Sequence, residues 1–205
     1  MHLNPMNPRV IEARSGWKLI DFHEIWRYRD LFYFLVWRDL KSRYAQTVLG
    51  VGWAVIQPVF SMIVFTVVFG KLAQVSSDGM PYAIFSFAAL VPWTYFSGAL
   101  SDATGSLVSA SSLLSKVYFP RLIIPLTPVL GKLVDFGIAL ILLFGMMVWF
   151  HTTPTLWALL LPFLVLLMML TAAGLGMWLT SLAIRYRDVR YAVGFAVQLL
   201  MYAAP

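Results

Sequence analysis

Two ionisable residues, Lys132 and Asp135, interrupt an otherwise uncharged stretch that runs from about residue 122 to residue 150. Their spacing of three residues places both side chains on one face of a helix. Charged groups are costly in lipid, pair with one another and often mark a functional interior. The sequence is equally compatible with a functional polar centre and with a structural ion pair or snorkelling residues near a membrane boundary.

Other catalytic arrangements are incomplete. His23-Glu24 begins like a zinc-protease helix, but Arg27 stands where the second histidine is required. Gly131-Lys132 and Gly70-Lys71 lack the following Ser or Thr of a phosphate-binding loop. The three histidines are scattered and the sequence has no cysteine. The sequence therefore predicts no catalytic residue, no metal site and no cofactor in this chain.

Aromatic residues crowd the stretch from residue 82 to residue 101. An aromatic ring with a flat apolar face and a polar edge suits a path for sugars, although single aromatic residues more often anchor or pack a helix. Trp93 and Tyr95 lie near the middle of this stretch, away from the usual interfacial belt. The predicted substrate path comprises Tyr82, Phe85, Trp93, Tyr95 and Phe96.

The composition predicts a membrane protein. The 205 residues are 60% hydrophobic and 12% charged, whereas a soluble domain carries roughly 25% charged residues. The formal charge of +6 is concentrated in residues 9–43, 116–121 and 185–190. Basic patches between apolar spans are typical of loops that stay on the cytoplasmic side. A nucleic-acid surface requires one continuous basic face, so we expect no nucleic-acid partner.

The N-terminal part predicts a helix on the membrane surface. Residues 1–20 are polar and are predicted to form a flexible cytoplasmic tail. Residues 21–44 place Phe22, Trp26 and Phe32 at roughly helical spacing, with Arg and Lys on the other side. Basic residues opposite large aromatic residues suit the headgroup boundary. This predicted interface helix leads directly into the first span.

Apolar stretches predict five spans. They are residues 48–71, 82–101, 122–150, 156–184 and 191–205. Each of the first four has the ~20 residues needed to cross ~30 Å of hydrocarbon, whereas the last is too short and is expected to be truncated. The turns near residues 72–81 and 151–155 contain no Lys or Arg beyond Lys71, so we expect them outside and the N-terminus inside.

Residues 102–117 interrupt this series. They are serine-rich and too polar to cross a membrane, yet longer than the ~4–6 residues typical of a connection. The sequence predicts a separate cytoplasmic helix with a docking role, although a simple connector is the plainer alternative.

Four motifs, in order and spacing, carry a family resemblance. They are WRDLKSRYAQTVLGVGWAVIQP, PYAIFSFAALVPWTYFSGAL, KVYFPRLIIPL and RYRDVRY. From about Gly16 onward the chain resembles the membrane permeases of type-two ATP-binding-cassette exporters, in the branch that moves O-antigen, capsular polymer or teichoic acid across the bacterial cytoplasmic membrane. The resemblance implies an all-α membrane protein with six spans in full length, acting as a homodimer with two copies of a separate ATPase that binds ATP and Mg.

The resemblance also implies roles for particular residues. Residues 21–44 correspond to the interface helix of the family and residues 102–117 to its coupling helix, both facing the ATPase. Transmission of ATP-driven closure, or contact with the phosphate of a lipid-linked glycan, is then expected of Arg38, Asp39, Arg43, Lys116 and Arg121. The alternatives are a type-two exporter for drugs or lipids and a membrane-embedded enzyme that acts on lipid-linked sugars through Lys132 and Asp135.

Overall fold

The computed structural model describes residues 22–45, 50, 52–77, 79–116 and 118–203. This part of the chain contains no strand, which confirms the prediction of an all-α protein. Its α-helices are α1 (Phe22–Arg27), α2 (Arg29–Tyr44), α3 (Gly52–Phe65), α4 (Tyr82–Ser109), α5 (Ser111–Leu114), α6 (Ile123–Trp149), α7 (Leu161–Arg185) and α8 (Asp188–Ala203). The predicted tail, residues 1–20, lies outside the described residues.

Four helical segments are long and apolar enough to cross a membrane. They are Gly52–Leu72, Tyr82–Ser109, Ile123–Trp149 and Leu156–Arg185. A π-helical segment, Thr66–Leu72, extends α3, and a 3₁₀ segment, Leu156–Leu160, precedes α7. Helix α8 has 16 residues, which at ~1.5 Å each is shorter than the hydrocarbon core. Each of the first four predicted spans therefore corresponds to one of these helical segments over most of its described residues.

Helix α4 lies at the centre of the bundle, between α6 and α7. Phe87, Val91 and Tyr95 are buried there in one core with residues of α6 and α7. The approach to α7 is close, because a Cβ placed on Gly176 would lie 2.6 Å from the Cβ of Ala103. Ten α4 residues are buried and no α3 residue is, so the second span rather than the first organises the packing.

Helix α2 packs against the connection between α4 and α6. Leu35 is buried with Phe119, Ile123 and Ile124 in a second apolar cluster. The outer side of α1 and α2 mixes aromatic and basic groups, with Arg29 over the ring of Trp26 and Lys41 over that of Trp37. The predicted division into an aromatic and a basic side is therefore less clean than the sequence indicated.

The boundary between the second span and residues 102–117 differs from the prediction. Helix α4 continues past Ser101 to Ser109, and only the single turn of α5 follows. The helix continues because its polar residues are satisfied there: Asp102 pairs with cations of neighbouring helices, and Thr104 donates to the carbonyl of Leu100. No separate helix spans residues 102–116 in the described part of the chain.

One end of the bundle collects the basic connections. It holds α2, the segment between α4 and α6, and the start of α8, where the Arg190 side chain lies 3.6 Å from a Cβ placed on Gly105. We refer to this end as the basic end. The second apolar cluster and the charged cluster described next both lie there.

Candidate functional site

A cluster of five charged residues joins three helices at the basic end. Arg43, in the last turn of α2, is at its centre. Its Nη2 lies 2.8 Å from Oδ2 of Asp39 and 3.2 Å from Oδ2 of Asp102 on α4, and its Nη1 lies 3.6 Å from Oδ2 of Asp135 on α6. The Arg43 Nε also donates to Asp39 at 3.0 Å. One guanidinium thus contacts carboxylates from α2, α4 and α6.

Lys132 completes this charged cluster from α6. Its Nζ lies 3.6 Å from Oδ2 of Asp102 and 4.0 Å from Oδ2 of Asp135. The predicted Lys132–Asp135 pair is therefore present but is the longest contact in the set, because each residue has a closer partner on another helix. A Cβ placed on Gly98 would lie 3.2 Å from Cε of Lys132, so the glycine leaves room for the lysine stem.

Tyr44 adds a hydrogen bond to the charged cluster. Its hydroxyl donates to Oδ1 of Asp135. Burial, together with this hydrogen bond and the nearby Asp135 charge, raises the pKa of Tyr44 well above its ordinary value. The phenol consequently remains a protonated donor throughout the physiological pH range.

A glycine allows α2 to approach α6 this closely. A Cβ placed on Gly131 would lie 2.6 Å from Oδ2 of Asp39. Any larger residue at position 131 would therefore rotate the carboxylate away from Arg43. The charged cluster depends on Gly131 and Gly98 as well as on its ionic members.

The net charge of the charged cluster is negative. Arg43 and Lys132 supply two positive charges against three from Asp39, Asp102 and Asp135, giving a formal charge of −1. The Arg43 side chain is only 18% exposed, so its ion pairs are poorly screened. Both cations contact carboxylates, but Nη1 of Arg43 has no hydrogen-bond partner among the described residues. The predicted contact of Arg43 with a lipid phosphate therefore stays a prediction.

A cavity of about 420 Å³ lies between α3, α4 and α6, with the charged cluster at one end. The α3 side contributes Trp53, Gln57 and Ser61, and the α4 side contributes Thr94 and Ser97. We call this space the inner cavity. Its lining includes the polar side chains of Gln57, Ser61, Thr94 and Ser97, although the spans that contribute them are mostly apolar.

A second space, of about 500 Å³, lies on the other side of Arg43 between α2, α4 and α6. Arg38, Asp39 and Asp102 line it together with serine residues from the end of α4. Among the described residues, Arg43 alone lines both this groove and the inner cavity. The charged cluster therefore separates the two spaces.

The five aromatic residues predicted as a substrate path do not share one surface. Tyr95 is buried, stacks obliquely on Phe136 and donates its hydroxyl to the carbonyl of Val129 at 3.1 Å. Trp93 and Phe96 pack together next to the apolar contact between α4 and α8, while Tyr82 and Phe85 pair at the other end of α4. Tyr95 is the one member of this set that lines the inner cavity.

The residues predicted for coupling fall into two groups. Asp39 and Arg43 belong to the charged cluster, whereas Arg38, Lys116 and Arg121 are exposed at the basic end. The exposed group remains available for a partner protein, and its predicted role stays a prediction.

Sequence reasoning missed Asp102, Gln57 and Ser61 as site residues. Asp102 was assigned to the connection after the second span, although a carboxylate that ends a long apolar stretch indicates a partner cation. Gln57 and Ser61 are four residues apart in the first span, a helical spacing that places both polar groups on one face. Within the described residues, no group of three His, Cys, Asp or Glu side chains is arranged so that it could hold a metal ion.

Comparison with known proteins identifies similarity over most of the chain. Residues 30–205 match the family model described as ABC-2 type transporter. An O-antigen export system permease protein RfbA from Myxococcus xanthus is 29% identical over 182 residues, covering 89% of this chain and 69% of that protein. A protein of the same name from Klebsiella pneumoniae is 24% identical over 177 residues, covering 86% of this chain and 68% of that protein.

Proposed function

This chain belongs to the ABC-2 type transporter family, and from that premise we propose that it is the permease half of an ATP-driven exporter of lipid-linked polysaccharide. The main support for this proposal is the family match over residues 30–205, together with relatives that are named as O-antigen export permeases. O-antigen, capsule and teichoic acid are the polymer types we consider. The chain is a multi-pass membrane protein, as its four long apolar helices indicate.

Family membership implies an ATP-binding-cassette partner. The amino-acid sequence itself contains no complete phosphate-binding loop, which supports placing ATP and Mg on that separate subunit. We propose two copies of the ATPase and a homodimer of the permease. The exposed outer surface of α3, with Phe60 and Ile63 on it, is a suitable contact for the second permease copy.

The basic end supports the proposed orientation. Basic residues cluster around α2, around Lys116 and Arg121, and at Arg185–Arg190. Because cytoplasmic loops carry an excess of Lys and Arg, we place this end and the N-terminus in the cytoplasm and the protein in the bacterial inner membrane. The ATPase would then bind at the basic end.

The charged cluster supports a coupling route. Arg43 links α2 to carboxylates on α4 and α6, two of the helices that line the inner cavity. A displacement of α2 by the ATPase would therefore reach both helices through one side chain. ATP binding would bias the equilibrium between two arrangements of the permease, as any ligand with different affinities for two states does.

The two rival functions make different demands. In an enzyme acting on lipid-linked sugars, Asp135 would need to be available to the reacting group, yet its two oxygens are engaged with Tyr44, Arg43 and Lys132. A drug or lipid exporter of the same family would share the ATPase but not the glycan. The cargo therefore has to be tested separately from the partner.

The test combines a partner measurement with a cargo measurement. The full-length protein is purified from native membranes in mild detergent, and co-purifying proteins are quantified by mass spectrometry. We expect an ATP-binding-cassette ATPase at stoichiometric amount, and loss of surface polysaccharide when the permease is deleted. Reproducible absence of the ATPase from intact, folded protein would contradict the exporter, whereas its presence with unchanged surface polysaccharide would contradict the polysaccharide cargo.

A further inference from the structure

The outer side of α2 carries an exposed tryptophan beside the start of the third span. Leu35 is buried against Ile123 and Ile124, the first residues of α6. Trp37 follows Leu35 by two residues, so it points to nearly the opposite side of the helix, where it is 48% exposed. Tryptophan is enriched where membrane spans meet the headgroup region, and Trp37 lies at this position relative to α6.

The last turns of α2 lie beside the body of that span. Arg43 pairs with Asp135, and Tyr44 donates a hydrogen bond to the same carboxylate. Asp135 is about 18 Å along α6 from Ile123, at ~1.5 Å per residue. The C-terminal part of α2 therefore runs alongside a membrane span, and its outer side is next to the surrounding lipid.

The Lys41 side chain extends back over the Trp37 ring. Its Nζ lies 4.9 Å from the centroid of that ring, which belongs to the preceding turn of the helix. Long basic side chains near the end of a membrane segment bury their stems on apolar surface and return the charge to the headgroup region. The geometry of Lys41 matches this behaviour, with the indole as the apolar surface.

The positive charge on this side of α2 is not compensated within the described part of the chain. Neither Lys41 nor Arg38, three residues before it, forms an ion pair there, and both are exposed. Residues three apart on a helix are neighbours, so the two cations can approach one anion together. Phe34, one turn before Trp37, is also exposed and adds a second ring to the same surface.

This surface is separate from the two spaces inside the bundle. The linings of the inner cavity and of the groove include neither Trp37 nor Lys41, although Arg38 borders the groove. A ligand bound at Trp37 and Lys41 is therefore reached from the surrounding membrane. Anionic lipids attract Lys and Arg residues near the membrane surface, whereas a zwitterionic lipid would leave the two cations without a compensating net charge.

We propose that the outer side of α2 binds the headgroup of an anionic phospholipid. Lys41 and Arg38 contact its phosphate, and Trp37 and Phe34 pack where the headgroup meets the acyl chains. The lipid is a component of the bulk membrane, and its site lies on the opposite side of α2 from the charged cluster.

Fluorescence quenching by brominated phospholipids tests this site. The full-length permease is reconstituted in phosphatidylcholine vesicles, and a rising fraction of the lipid is replaced by brominated phosphatidylglycerol or by brominated phosphatidylcholine. The quenching due to Trp37 is the difference between the unmodified protein and Trp37→Phe. Trp157→Phe provides the matched control, because Trp157 is exposed before the start of α7 and no Arg or Lys lies over its ring in the described part of the chain.

We expect phosphatidylglycerol to quench Trp37 at a several-fold lower mole fraction than phosphatidylcholine, because the anionic lipid is concentrated at the two cations. Trp157 should not distinguish the two lipids. Lys41→Gln should remove most of the preference at Trp37, and Lys41→Arg should retain it. Lys116→Gln removes the same charge from another exposed lysine at the basic end and should leave the preference unchanged.

Two results would overturn the proposal. Equal quenching of Trp37 by the two lipids, in protein with an unchanged helical circular-dichroism spectrum, would show that the site does not select an anionic headgroup. Absence of quenching by either lipid, with Trp37 protected from an aqueous quencher when the ATPase is added, would assign this surface to the partner protein instead. The vesicles contain neither ATP nor glycan, so either result is independent of the proposed export function.

Discussion

The first and second spans are similarly apolar but pack in opposite ways. Ten residues of α4 are buried, whereas α3 has none. Helix α4 has small residues where its neighbours approach, such as Ala99 and Ala103, while α3 directs bulky residues such as Phe60 outward, 65% exposed. Both segments are therefore apolar enough to be spans. Small residues at the helix contacts explain why α4, and not α3, is packed closely against its neighbours.

This difference predicts different mobility. Helices α4, α6 and α7 share one continuous core and are expected to move together. Helix α3 meets α4 and α6 across the inner cavity, so few contacts oppose its displacement. Elements with few buried contacts open at lower free energy than core elements. We expect the first span to be the part of the chain that moves during transport.

Removing the centre of the charged cluster should have the largest effect on the packed part of the molecule. Arg43→Ala leaves Asp39, Asp102 and Asp135 facing one another, with Lys132 as their remaining cation in the cluster. These ion pairs are only partly buried, since the Asp102 side chain is 45% exposed. Breaking charge-assisted hydrogen bonds of this kind costs about 1.5–3 kcal/mol, so the apparent melting temperature in detergent should fall by a few degrees.

The matched control for this substitution is Arg38→Ala. Arg38 lies on the same helix but is exposed, and exposed substitutions usually change stability by less than ~0.5 kcal/mol. Equal melting temperatures for the two variants would show that the charged cluster does not hold α2 against α4 and α6.

Glycine substitutions on α7 give a smaller and more local effect. Gly176→Ala places a Cβ 2.6 Å from that of Ala103 on α4, and neither atom can rotate away. Overpacking of this kind typically costs ~1–3 kcal/mol. Gly174→Ala, two residues away, has no atom within 4 Å of the added Cβ and should leave the melting temperature unchanged. A melting temperature for Gly176→Ala as high as that of Gly174→Ala would contradict the central position of α4.

The helical segments were predictable from sequence because a run of ~20 apolar residues has few alternatives to a span. Four predicted spans correspond to helices, and Lys132 and Asp135 were recognised as unusual. Asp102 was missed as their partner because the contact depends on how α4 and α6 are placed side by side. The spacing of residues along the sequence does not show how α4 and α6 pack against each other.

The aromatic residues show the same limit. Trp93 and Tyr95 were predicted to line one path, but residues two apart on a helix point to nearly opposite sides. Tyr95 faces α6 and Trp93 faces the apolar contact with α8. Composition identified the crowded segment, while helical geometry decides which ring faces which neighbour.

A reversible tether between α3 and α4 tests the expected movement most directly. The hydroxyl oxygens of Ser86 and of Thr66, the first residue of the π-helical segment that extends α3, lie 3.5 Å apart. Thr66→Cys with Ser86→Cys therefore places two thiols close together, in a sequence of 205 residues without other cysteines. Polysaccharide export is measured after oxidation and again after reduction, with each single substitution as control. We predict that the oxidised double variant keeps its ATPase but exports several-fold more slowly, and that reduction restores export. Export at the same rate before and after reduction, with the disulfide shown to be formed, would contradict movement of the first span against α4.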